Sequence, residues 1–163
     1  AAIDLRLLLS VTKIITDLER CGDESEKIAR TVRRLYDQNV RFEPIVELNY
    51  MGRLVSENLR KVLDSFARLD PVAAAEVVRA DKKINKEWRS VLRETSSYMI
   101  EDPRTITAAI DLMFMARSLE RIGDHAKNMA ERVIYMVRGD DVRHTGMKNT
   151  VRTALGQDVD FDD

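Results

Sequence analysis

Three prolines, Pro44, Pro71 and Pro103, fall between stretches of helical periodicity, and none falls inside one. Proline within a helix removes a backbone donor and clashes with the preceding turn. The uninterrupted stretches are therefore free to form long helices, and their spacing predicts four, roughly 2–40, 44–68, 71–100 and 103–138. Asp70-Pro71 and Asp102-Pro103 each read as an Asp cap followed by Pro in the first turn, and Glu43-Pro44 is a weaker version. In the second segment Leu48, Met51, Val55, Leu59, Val62, Phe66 and Leu69 recur at steps of three and four. The third carries Ala74, Val77, Ile84, Trp88 and Leu92, with Asp81 on the same stripe. The fourth carries Leu112, Met115, Leu119, Ile122, Ala126, Met129, Val133 and Val137, and Gly139 reads as its stop. Connections this short favour antiparallel neighbours, so the expected fold is an all-α bundle. The tail, 140–163, has six acids and three bases, and is expected to hold a short helix at most.

A second regularity lies over the first. Displaced by 101 residues, Leu18-Glu19-Arg20-Cys21-Gly22-Asp23 lies over Leu119-Glu120-Arg121-Ile122-Gly123-Asp124, and Ala29 and Val32 lie over Ala130 and Val133. Seven of fifteen ungapped positions are identical. The first and fourth helices thus read as equivalent parts of two repeats. The second repeat has three helices. The first shows only its last, so the chain reads as a fragment or processed product lacking roughly 65–75 residues upstream. The expected divisions are 1–42, the last helix of an incomplete repeat, 43–139, a complete three-helix repeat, and 140–163, an acidic tail.

The repeated acids carry the chemical interest. Glu19 with Asp23, and Glu120 with Asp124, are four apart and so stand one turn apart on one side of a helix. Such pairs repel by roughly 0.2–0.5 kcal/mol even when exposed. Glu19 shares its longitude with Leu8, Thr12 and Ile15, and Glu120 shares its own with Ala109, Met113 and Ala116, so both pairs continue largely apolar faces. Glu26 extends the first row to three. Hard divalent or trivalent metals with oxygen ligands answer that demand, with Mg, Mn, Fe or Zn as candidates. Asp81 and Asn85, again four apart, would complete a site with Glu120 and Asp124 if the third helix faces the fourth. A mid-helix Gly costs about 1 kcal/mol relative to Ala, so Gly22 and Gly123 point to close backbone approach or to room beside the carboxylates. The bland alternative is local pairing: Arg117 precedes Glu120 by three and Lys127 follows Asp124 by three.

Composition narrows the function. The net charge is -1, which argues against a general nucleic-acid binder. One cysteine cannot make an internal disulfide and fits a reducing compartment. No apolar run approaches the ~18 residues of a membrane span. No Gly-x-Ser-x-Gly elbow or phosphate-cradling Gly-rich loop occurs.

Two copies of Leu-Glu-Arg-x-Gly-Asp, with Asp81-Lys82-Lys83-Ile84-Asn85 on the preceding helix, resemble the PhoU family. Asp4-Leu5-Arg6 and Glu101-Asp102-Pro103-Arg104-Thr105-Ile106 are similar to the family's entries into those helices, and the resemblance covers about 3–145. It implies tandem three-helix bundles, here one complete repeat plus the last helix of the one before. It also implies a cytoplasmic, non-enzymatic negative regulator of phosphate uptake and of the phosphate regulon. The implied partners are the ATPase subunit of the phosphate ABC transporter and a sensor histidine kinase, with a homodimer expected, no nucleic acid, and the membrane reached only through partners. Metal clusters in some members map here onto Glu19 with Asp23, Asp81 with Asn85, and Glu120 with Asp124; Asn85 stands where the family has a second acid. The alternatives are a carboxylate-bridged di-iron-type oxidase and a metal-free structural bundle. Gly123, three after Glu120, stands where a ferritin-like site wants His. Cys21 and Trp88 read as core, Arg20 and Arg121 as structural pairing residues, and His144 has no assigned partner.

Overall fold

The structure is a computed structural model that describes residues 2–40, 45–139, 141–143 and 145–157. The described residues form five α-helices: α1 (Ala2–Asp37), α2 (Ile45–Arg68), α3 (Pro71–Glu101), α4 (Ile106–Arg138) and the short α5 (Met147–Ala154). No strand occurs among the described residues.

The boundaries follow local chemistry. Asp70 Oδ1 accepts from the backbone N–H of Val72 and Ala73, both at 3.0 Å, and Pro71 fills a first-turn position that needs no donor. Asp102 behaves differently from the expectation. It caps a single 3₁₀ turn, Pro103–Thr105, and α4 begins only at Ile106. Thr105 Oγ1 donates to the Asp102 carbonyl at 2.7 Å, which holds that tighter turn. The first helix ends at Asp37 because Asn39 takes a left-handed φ of 52, with Val40 N–H returning to Leu35 O at 3.0 Å. Gly139 ends α4 at φ 83, and a Cβ there would lie 2.5 Å from Arg6 Nη1. The left-handed backbone therefore favours glycine at this stop, whereas the Arg6 guanidinium, at the end of a flexible side chain, can move aside. The Glu43-Pro44 start, His144 and 158–163 lie outside the described residues.

α2, α3 and α4 form a three-helix bundle, and the interior matches the periodic stripes. Met51, Val55 and Val62 of α2, Ala74, Val77 and Ile84 of α3, and Met129, Ala130 and Val133 of α4 are buried. Leu69, counted with the α2 stripe by spacing, is instead exposed in a left-handed turn at φ 53, beyond the end of the helix. α5 packs on α3 and α4, with Arg138 Nε donating to the Ala154 carbonyl at 3.1 Å.

Among the described residues α1 packs on α4 and on no other helix. The two run antiparallel, as shown by the reversed order of their contacts: Arg34 with Asp111 at 2.5 Å, Glu24 with Arg121 at 3.6 Å, and Asp17 with His125 at 3.0 Å. Ser10, Ile14, Cys21 and Glu24 form the buried side of α1. The largely apolar row of Leu8, Thr12, Ile15 and Glu19 faces out, with Leu8 65% and Ile15 59% exposed.

Candidate functional site

α3 and α4 cross closely because of Gly123. A Cβ at this position would lie 3.2 Å from Ile84 Cγ2 and 3.4 Å from Asp81 Oδ1, both on α3. The glycine therefore lets the buried Asp81 carboxylate approach the α4 backbone one residue from Asp124. Asp81 is 2% exposed, and only one of its oxygens is satisfied: Oδ2 accepts from Asn85 Nδ2 at 3.2 Å, while Oδ1 is buried without a hydrogen-bond partner. An unmatched buried carboxylate oxygen is costly. Burial, then the nearby Asp124 carboxylate, raises the Asp81 pKa, and Lys127 and Asn85 only partly oppose them.

On α4, Glu120 is buried and pairs with Arg117, which also lies 5.8 Å from the centre of the Trp88 ring. Burial and then the Asp124 charge raise the Glu120 pKa; the Arg117 charge pulls the other way. Asp124 is thus the hinge of the cluster, since it acts on both Asp81 and Glu120. Even so, no group of three or more His, Cys, Asp or Glu side chains among the described residues is gathered closely enough to hold a metal ion. The donors nevertheless suit a hard cation. All are oxygens, one is orphaned, and two of the carboxyls hold their protons more strongly than free acids do.

The equivalent pair on α1 has a different setting. Glu19 and Asp23 are exposed, and a Cβ on Gly22 would meet nothing within 4 Å. One motif thus occurs in two environments: covered by α3 in the second repeat, open in the first.

Two residues outside the expected set shape the junction. Asp17 lies beside His125 across the α1–α4 contact, both side chains largely buried. Glu24, 6% exposed, faces Ser118, Lys27 and Arg121; burial alone would raise its pKa, but these partners together lower it. The 101-residue shift carries Asp17 onto Ser118 and Glu24 onto His125. The shift thus maps the Asp17–His125 pair onto Ser118 and Glu24, which face each other across the same pair of helices. The repeat held the signal for this pairing, but only for a reader who knew that α1 and α4 meet.

Beside this junction a groove of about 740 Å³ opens between α1 and α2, with α4 as its floor. Ala108, Leu112, Met115 and Leu119 line the floor, and Arg53 and Arg60 stand at the rim. No helix among the described residues is long and apolar enough to cross a membrane.

Residues 48–133 match the PhoU domain. The chain is 46% identical over 159 residues to a phosphate-specific transport system accessory protein PhoU homolog of Pseudomonas putida, covering 98% of this chain and 62% of that one. It is 45% identical to the homolog of Pseudomonas aeruginosa, over 96% of this chain and 66% of that one. It is 41% identical to the accessory protein PhoU of Escherichia coli, over 98% and 66%. The chain thus spans less than two thirds of the length of these relatives. The crystal structure of PhoU from Pseudomonas aeruginosa superposes with a TM-score of 0.84 at 45% identity, covering 86% of this chain and 67% of that one.

Proposed function

This chain belongs to the PhoU family, and from that premise we propose that it is part of a non-enzymatic regulator of phosphate transport. The observation that carries the reading is its similarity, along nearly its whole length, to proteins named as accessory to a phosphate-specific transport system. In this reading the protein acts by contact. It engages the transporter's ATPase subunit and a sensor kinase in the cytoplasm, works as a homodimer, and holds down phosphate uptake and the phosphate regulon when phosphate is plentiful. Deleting the full-length gene and assaying alkaline phosphatase in phosphate-rich medium tests it. Derepression, reversed by the restored gene, is expected; unchanged repression refutes the regulatory role.

Metal binding is part of the proposal. Asp81, Glu120 and Asp124, with Asn85 orienting Asp81, would hold a divalent cation between α3 and α4. Glu19 and Asp23 would contribute to a second site on α1. The cation would supply positive charge that ties the helices together, and the protein's own residues perform no bond-breaking step. The orphaned Asp81 Oδ1 supports this reading. The Arg117–Glu120 pair and the Lys127 charge on Asp81 favour the rival, a metal-free bundle. Elemental analysis of protein purified without chelator separates the two. Near-stoichiometric metal that is lost in Glu120→Gln/Asp124→Asn supports the cation site, and its absence from the parent supports the rival.

A further inference from the structure

The net charge of -1 conceals a segregated distribution. On α3, Arg79, Lys82, Lys83, Lys86, Arg89 and Arg93 are all exposed. At 100° per residue they fall within an arc of about 120°, opposite the stripe of Val77, Asp81, Ile84 and Trp88 that faces the bundle. Between positions 79 and 93 the only other residue on this arc is Ser90, so it carries neither an acid nor an apolar side chain. Of the other acids of α3, Glu76, Glu87 and Glu94 lie along a neighbouring line, Asp81 faces the bundle and Glu101 lies beyond the last cation; Glu76 is already paired with Lys61. None of the six cations forms an ion pair among the described residues; Lys83 sits 5.4 Å from the centre of the Tyr50 ring.

We propose that this basic rib of α3 docks the protein directly onto an anionic lipid surface. The charges are complementary to acidic headgroups. Each Lys or Arg held near such a surface adds attraction, and a cluster of four to eight on a helix is the usual scale of such a patch. The geometry suits a plane: α3 is buried against α2 and α4, so its outer side is a convex rib, and the six cations run ~21 Å along it. The arc has none of the Asn, Gln or aromatic side chains that read base edges or stack on bases, which disfavours nucleic acid as the occupant. No apolar residue stands among the cations, so binding is electrostatic and shallow, and salt releases it. The inference rests on the charge pattern of α3 and not on the regulatory reading, so either can fail alone.

The test uses the 163-residue chain and sedimentation with two kinds of vesicle, phosphatidylcholine alone and phosphatidylcholine with roughly one third phosphatidylglycerol. Two variants of equal net charge accompany it: Lys82→Glu/Lys86→Glu/Arg89→Glu on the rib, and Lys13→Glu/Arg33→Glu/Arg68→Glu elsewhere on the surface. Circular dichroism checks that both are folded. The expected result is binding to the anionic vesicles only, released between about 0.1 and 0.5 M salt. The rib variant should lose at least about tenfold in partition, and the control should keep most of it. Absence of binding by the parent, equal loss in both variants, or equal binding to neutral vesicles overturns the proposal. Tighter binding to a short DNA duplex through the same residues also overturns it, in favour of nucleic acid.

Discussion

His125 of α4 places its Nδ1 3.0 Å from Oδ1 of Asp17 on α1, and the contact has its repeat-related counterpart in Ser118 and Glu24. Among the described residues α1 packs on no helix but α4, so these contacts, with the buried Ile14 and Cys21 and the Arg34–Asp111 pair, hold it to the bundle. Replacing His125 by Ala, or Asp17 by Asn, should cost about 1 kcal/mol. Thermal unfolding would read this as a drop of about 2–4 °C. Amide exchange should rise mainly in α1. Loss of protection spread evenly through α2 and α3 would contradict the assignment.

The two repeated glycines should answer differently to one substitution. Gly22→Ala adds a methyl that meets nothing and gains helix propensity, so it should stabilise by up to about 1 kcal/mol. Gly123→Ala drives its methyl to 3.2 Å from Ile84 Cγ2, and Ile84 is 1% exposed with little room to move. That variant should gain nothing or lose stability. Denaturant midpoints of the two proteins decide the matter; equal stabilisation of both would show that α3 and α4 are not so closely apposed.

Asp81 gives a pH signature. Its pKa is raised in the folded protein, first by burial and then by Asp124. The folded state therefore binds this proton more tightly than the unfolded chain. The resulting stabilisation is fully present below about pH 4 and is lost as pH rises through the folded pKa. In chelator-treated protein Asp81→Asn should accordingly raise the melting temperature at neutral pH, and the advantage should vanish near about pH 4. A variant less stable than the parent at neutral pH would contradict the sign.

Cys21 should be inert in the native state. It is 3% exposed, and burial, followed by the Asp17 and Glu24 charges, pushes its thiol up to about 11. A thiol-specific chromogenic reagent at about pH 8 should label the unfolded chain but leave the folded one untouched over the same time. Rapid labelling of folded protein would mean that α1 detaches readily from α4.

The long helices were legible because their causes are local. Asp70, Pro71 and Gly139 act within one turn of their own positions, and the buried stripes of α2, α3 and α4 repeat every three or four residues. The acid cluster was legible in part. Asp81 lies on the α3 stripe that faces α4, so its approach to Asp124 followed from one packing assumption. The outer face of α1 shows where such reading stops. Leu8, Ile15 and Glu19 form as apolar a row as many buried ones, yet they point outward. A helix with apolar residues on more than one side can turn either side toward a single neighbour. Likewise, a net charge near zero gave no hint that six cations gather along the outer rib of α3.

By itself the amino-acid order determined that the chain is helical, where most helices start and stop, and that α1 and α4 carry the same Leu-Glu-Arg-x-Gly-Asp spelling. The tertiary structure alone decided which copy has its acids covered. Glu120 is buried and Asp124 half-buried beside Asp81 of α3, while Glu19 and Asp23, with the same local spelling, stand in the open. The reason is physical: periodicity sets the direction of a side chain relative to its own helix axis, whereas its burial and charge balance depend on which other helix packs there.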